Sequence, residues 1–176
     1  LFDEKVQARS LSWSPDGKLL AFLLRNDDEY LLNIYDLEKE NVKEVKLKTD
    51  KKIASNSSIQ WRPDGSGILI ALRDNGWAER SRNEFLALSA GPVIVRDSKK
   101  PFLAWDEVRS NTALQIPAVV SLNGDVKELL PESRVSSIRQ SEDGKFITYT
   151  STNPLKTSYT RTGTSEFEMF MLNFED

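Results

Sequence analysis

Three times along this chain the polar and apolar positions run the same course. A short alternating stretch leads into an Asp-Gly step, and a nearly unbroken apolar run follows. The first copy is Leu11-Ser12-Trp13-Ser14-Pro15-Asp16-Gly17-Lys18-Leu19-Leu20-Ala21-Phe22. The second is Ile59-Gln60-Trp61-Arg62-Pro63-Asp64-Gly65-Ser66-Gly67-Ile68-Leu69-Ile70-Ala71, and the third is Ile138-Arg139-Gln140-Ser141-Glu142-Asp143-Gly144-Lys145-Phe146-Ile147-Thr148-Tyr149. Pro15 and Pro63 pre-set φ at the first turn position. Asp16, Asp64 and Asp143 accept bonds from the backbone that follows, and Gly17, Gly65 and Gly144 supply the positive φ. Alternation marks a strand covered on one face, and an unbroken apolar run marks one covered on both. Each copy therefore predicts an antiparallel hairpin.

The first hairpin is followed by Tyr30-Leu31-Leu32-Asn33-Ile34-Tyr35-Asp36-Leu37 and then by the alternating Val42 to Leu47. Those two stretches complete a unit of four sequential antiparallel strands, which is one propeller blade. The second unit takes its outer strands from Ala113 to Leu122 and Asp125 to Leu130, joined by Asn123-Gly124. The third supplies Phe167 to Phe174 and stops before a fourth strand. Gly17 and Gly65 are separated by the length of one plain blade, and the interval from Gly65 to Gly144 is about 30 residues longer. The pattern predicts an all-β chain over residues 1–176: a partial β-propeller of about three four-stranded antiparallel blades. Blade 1 is expected at about 10–48, blade 2 at about 57–131 with a long insertion at about 75–112, and an incomplete blade 3 at about 135–176. Trp13 and Trp61 hold the same place on the innermost strands and are expected in the core where blades pack.

Composition narrows the function. The 176 residues include no His and no Cys. The commonest general base, the commonest metal ligands and any Ser-His-Asp arrangement are therefore missing from this chain. The net charge of -3 disfavours nucleic acid and anionic membrane as partners, because both are held by clustered Lys and Arg. No stretch approaches about 18 consecutive apolar residues, so no membrane span is expected. No cofactor is implied. The first residues, Leu1-Phe2-Asp3-Glu4-Lys5, resemble no signal peptide, and both ends are expected to be cuts in a longer polypeptide.

The Trp13 to Phe22 stretch with its Ile34-Tyr35-Asp36-Leu37 strand resembles the amino-terminal propeller repeats of prolyl oligopeptidase-type serine peptidases, and also TolB-like and WD40-like propellers. The order Gly91-Pro92-Val93-Ile94, Val119 to Lys127 and Ser141 to Ile147 is similar to the glutamyl endopeptidase-like group. It departs from that group at Pro154 to Ser165. The resemblance implies a noncatalytic propeller that gates or positions peptide substrates for a separate α/β-hydrolase domain of the same polypeptide. The alternative is a TolB-like protein-interaction propeller without enzymatic activity. For location it implies an exported or periplasmic bacterial protein, or an organellar one. A nucleophile elbow needs Gly-x-Ser-x-Gly, and the nearest segment, Gly163 to Phe167, lacks the second Gly.

Three further segments carry expectations. Asn26-Asp27-Asp28-Glu29 is a solvated turn rather than a cation loop, because its spacing matches no EF-hand. Lys46, Lys48, Lys51 and Lys52 read as a charged outer edge strand that resists edge pairing. The insertion is the candidate docking element, through Trp77, Phe102 and Trp105, with a short helix expected over Pro101 to Arg109. Either a neighbouring domain docks there or the segment folds over the blade edge. Three blades leave free sheet edges, so the chain is expected to self-associate.

Overall fold

The computed structural model describes residues 5–27, 29–91, 111, 114–153 and 166–174. The first sheet runs β1 (Ala8–Trp13), β2 (Leu19–Asn26), β3 (Glu29–Asp36) and β4 (Asn41–Glu44), hydrogen-bonded in that order. The β2–β3 register is continuous from Leu19 opposite Asp36 to Asn26 opposite Glu29. A loop this short needs a left-handed residue, and Asp27 takes φ 52°.

In the second sheet, β5 (Lys52–Ile53) and β6 (Gln60–Trp61) both pair with β7 (Gly67–Arg73), which pairs in turn with β8 (Leu114–Ser121) and through it with β9 (Val126–Glu128). All seven residues of β7 are buried, as a central strand covered on both faces requires. The third sheet is β10 (Ser133–Gln140), β11 (Phe146–Asn153) and β12 (Glu166–Asn173). Between β7 and β8 the chain leaves the sheet and forms α1 (Trp77–Ser89). The sheets are antiparallel and do not close on themselves, which is the geometry of a partial propeller.

Adjacent blades bury their facing sides together. Ala21, Leu23, Leu32 and Ile34 of blade 1 share one apolar cluster with Trp61, Ile68, Ile70 and Leu72 of blade 2. Burial of side chains this size contributes about 1.5 to 3 kcal/mol each, so this contact is the main cohesive element between the two sheets. The second and third sheets are also joined by backbone bonding. Strand β9 covers only one half of the outer edge of β8, and Ser133 and Arg134 of β10 pair with Gln115 and Leu114 on the other half.

The innermost strands share a defect. Strand β1 slips register between Arg9 and Ser12, and β10 slips between Ser136 and Arg139. Ser10 and Ser137 take φ 53° and 52° there, as bulges of this kind allow. In blade 2 the corresponding place is the gap between β5 and β6, which contains Ser57 and Ser58.

Several expectations are corrected. Trp13 is 53% exposed, whereas Trp61 is 7% exposed. Trp61 lies against blade 1, and no described blade covers the matching side of blade 1. The lysine cluster is not an outer edge strand. Strand β4 ends at Glu44, residues 45–51 are connecting chain, and Lys52 opens an inner strand. A 13-residue helix, α1, occupies the start of the insertion. The expected helix at Pro101 to Arg109, with Phe102 and Trp105, lies outside the described residues.

Candidate functional site

The Asp-Gly turn is built the same way in blades 1 and 3. Ser14 Oγ donates to Asp16 Oδ1 at 2.6 Å, and Asp16 Oδ1 also accepts from the Lys18 amide at 3.1 Å. Ser141, Asp143 and Lys145 repeat these bonds at 2.6 and 3.1 Å. The bond from serine, followed by that from the backbone amide, holds the Asp16 and Asp143 carboxyls below the ordinary aspartate value. In blade 2 Arg62 replaces the serine, and Ser66 bonds Asp64 through its backbone amide at 2.9 Å and its hydroxyl at 2.7 Å. That pair likewise lowers the Asp64 pKa. Gly17, Gly65 and Gly144 all lie at φ 71–72°, which only glycine adopts without cost.

Released from the turn, Arg62 reaches into the next blade. Its Nη1 donates to the Gly144 carbonyl at 2.6 Å, and its guanidinium lies 3.7 Å from the centre of the Phe174 ring. A second crossing bond comes from the position just before the turn. Trp61 Nε1 donates to the Ser12 carbonyl at 2.9 Å. Gln140 holds the corresponding place in blade 3, and its Nε2 donates to the Trp61 carbonyl. Gln60 Nε2 completes the seam with a 2.7 Å bond to the Ile138 carbonyl. Each blade therefore clasps the innermost strand of its neighbour by side-chain N–H groups.

Between blades 2 and 3 this seam opens into a groove of about 650 Å³. Asn56, Ser58, Gln115, Ser136 and Arg139 are among its lining residues. Gln115 is buried at its wall, at 6% exposure. The groove has hydroxyl and amide groups and one guanidinium, which suits the backbone of an extended peptide. Among the described residues that line it, none is able to activate a nucleophile.

At the insertion, Trp77 is half-buried at the start of α1. The Arg73 guanidinium lies 4.1 Å from its ring centre, and its Nε1 donates to the Asn111 carbonyl at 2.9 Å. Burial pushes the Arg73 pKa down. Arg80 pairs with Asp74, and with Glu132 at 3.0 Å. These contacts pin the first turn of α1 to the end of β7 and to the chain entering β10.

The lysine cluster also has a structural role. Lys48 pairs with Asp125 at 2.8 Å, Lys51 with Glu128, and Lys52 with Glu29 at 2.6 Å. The Lys48 amide donates to the Gly124 carbonyl at 2.8 Å. The connection between blades 1 and 2 is thereby fastened to the outer turn of blade 2.

Sequence reasoning brought Trp61 and the three turns to their places in the seam. It missed Gln140, Gln60 and Arg62 as crossing donors. The signal available was their alignment with Trp13, Ser12 and Ser14 relative to the turn glycine.

These observations define the class: an open, partial β-propeller whose blades are clasped through their innermost strands. No protein-family model matches the sequence. A curated protein of Aspergillus clavatus, "Probable dipeptidyl-peptidase 5", is 33% identical over an alignment of 103 residues that covers 55% of this chain and 13% of that protein. Among solved structures, the fold is similar to that of prolyl endopeptidase, at TM-score 0.58 and 16% identity, over 100% of this chain and 22% of that one. It is similar to TolB from Acinetobacter baumannii, at TM-score 0.53 and 17% identity, over 94% of this chain and 30% of that one. It is also similar to Pyrococcus horikoshii acylaminoacyl peptidase, at TM-score 0.51 and 16% identity, over 95% and 24%. The chain thus spans less than a third of the length of each of these proteins.

Proposed function

We propose that this chain is a noncatalytic propeller segment of a larger serine peptidase, and that it gates or positions peptide substrates for a separate α/β-hydrolase domain. The observation that carries this reading is the 33% identity to a dipeptidyl-peptidase across 103 residues. The likeness of fold to prolyl endopeptidase and acylaminoacyl peptidase supports it. So does the chemistry of the chain, which has no His and offers a peptide-sized polar groove instead. Gln115, Asn56 and Ser136 would hold a peptide backbone there, and Arg139 would meet a carboxylate.

The test is to express the full polypeptide that contains this segment, with and without residues 5–174, and to measure hydrolysis of peptides of increasing length. Gating predicts that the intact polypeptide cleaves short peptides and rejects long ones, and that removing the propeller relaxes the limit. A polypeptide without a Gly-x-Ser-x-Gly elbow and without peptidase activity would overturn the reading.

A second reading is a TolB-like interaction propeller without an enzyme, favoured by the likeness to TolB at TM-score 0.53. It predicts a stable protein complex and no hydrolysis in the same assays.

A further inference from the structure

Neighbouring blades leave a notch between them beside the irregular stretch of the inner strands, and the two notches differ in size. The notch between blades 1 and 2 has a volume of about 180 Å³, and the groove between blades 2 and 3 about 650 Å³. In each, the later blade contributes its inner strand or the chain leading into it. Ser55 to Ser58 form that wall in the small notch, and Ser136 to Gln140 in the large one.

The opposite wall accounts for the difference. Counted from Gly17 and Gly65, Leu23 and Ala71 hold the same place, as do Leu24 and Leu72. Leu24 pairs with Leu31 and Leu72 with Ile116, so Tyr30 and Gln115, one residue earlier, are equivalent. Arg9 lies opposite Leu23, and the Ala54 amide donates to the Ala71 carbonyl, so Arg9 and Ala54 are equivalent too. Arg9 plugs the small notch. Its Nη1 donates to Tyr30 Oη at 2.9 Å and to the Ser55 carbonyl at 3.4 Å, and its guanidinium lies 5.7 Å from the centre of the Tyr30 ring. Blade 2 carries Ala, Ala and Gln where blade 1 carries Arg, Leu and Tyr, and its groove stands open.

The lining also selects the occupant. Arg139 is the one charged side chain among the described residues of the groove; the others are hydroxyls, carboxamides and aliphatic groups. A guanidinium matches a carboxylate through a pair of parallel bonds, and carboxamides match peptide N–H and C=O groups. The volume lies within the range of small-molecule sites, about 300 to 1,000 Å³, which suits the end of a peptide rather than a long stretch of one. We propose that the groove binds the free carboxyl terminus of a peptide, with the terminal carboxylate on Arg139 and the last amides on Asn56, Gln115 and Ser136. This deepens the peptide-positioning reading of the same groove and rests on it.

Fluorescence anisotropy of this chain with tetra-alanine, dye-labelled at its amino end, tests the proposal. The free acid is compared with the carboxy-terminal amide and with an amidated peptide whose last residue is Glu. The free acid is expected to bind about tenfold tighter than either amide. Arg139→Gln is expected to abolish that preference. Ala71→Leu with Gln115→Tyr copies the wall of blade 1 into blade 2, and is expected to abolish binding of the free acid although Arg139 is kept. Far-UV circular dichroism checks that the variants are folded; should the double variant fail that check, Gln115→Tyr alone tests the same wall. Equal binding of free acid and amide overturns the proposal. So does an amide ending in Glu that binds as well as the free acid, since the groove would then read an acidic side chain. Binding of none of the probes overturns it as well and removes the groove from the peptide-positioning reading, while hydrolysis by the full polypeptide decides the peptidase assignment separately.

Discussion

Trp61 donates its indole N–H to the carbonyl oxygen of Ser12 across the boundary between two blades, at 2.9 Å. Trp13 holds the same place one blade earlier and stands half in solvent. The pair separates the effect of packing from that of residue type. Trp61→Ala removes a buried aromatic ring and a crossing bond, and is expected to cost about 3 to 5 kcal/mol. Trp13→Ala, measured at protein concentrations where the chain is monomeric, is expected to cost about 0.5 kcal/mol or less. Urea unfolding followed by circular dichroism checks both. Equal losses would mean that blade 2 does not rest on blade 1 through this ring.

Gly124 and Gly17 separate strain from collision. Gly17 lies at φ 72° with open space around it, so Gly17→Ala carries only the left-handed penalty, about 1 to 2 kcal/mol. Gly124 lies at φ 87°, and a Cβ there would strike the backbone carbonyl of Lys46. Gly124→Ala is expected to cost clearly more than Gly17→Ala and to loosen the connection between blades 1 and 2. Paired urea midpoints decide the order.

Asp16, Asp64 and Asp143 give the chain an acid limit. Bonds in the turns hold all three carboxyls below the ordinary aspartate value of 3.8. A carboxyl lowered in this way adds stability that is whole above its unfolded pKa and disappears as pH falls through the folded one. Stability is therefore expected to fall below about pH 4, when these groups protonate. Asp16→Asn and Asp143→Asn lower stability at neutral pH and flatten this acid limb. Thermal midpoints from pH 7 down to pH 2 check both effects.

Trp77 tests whether α1 is fastened to blade 2. Trp77→Ala removes the contact with Arg73 and the bond to Asn111, and is expected to cost about 2 kcal/mol. Hydrogen exchange in α1 should quicken while exchange in β7 stays slow. Unchanged exchange in α1 would show that Arg80 and its partners hold the helix without the ring.

The hairpins were legible because their information is local. Asp-Gly turns and apolar runs dictate backbone geometry within a few residues. Trp61 was legible as a core residue for the same reason, and Trp13 was misread because an identical local pattern says nothing about what covers it. The helix α1 was missed because Glu79, Arg80, Arg82, Asn83 and Glu84 give it no continuous apolar stripe. It is made of good helix formers and is held by contacts of Trp77 and Arg80 with distant chain. The part played by Gln140 was hidden by a change of residue type. Amide and indole N–H groups perform the same crossing bond, and only the register relative to Gly144 and Gly65 reveals it. The lysines of the first connection read as edge protection in the sequence because their partners Asp125 and Glu128 are remote along the chain.

Blades 1, 2 and 3 pack side by side, and blades 2 and 3 are each clasped to the innermost strand of the one before. Nuclear Overhauser spectra of the Trp61 indole proton test this most directly. The predicted result is cross-peaks to Ser12 and Trp13 backbone protons together with those of its own hairpin. Cross-peaks confined to residues of its own hairpin, with none to β1, would contradict the account.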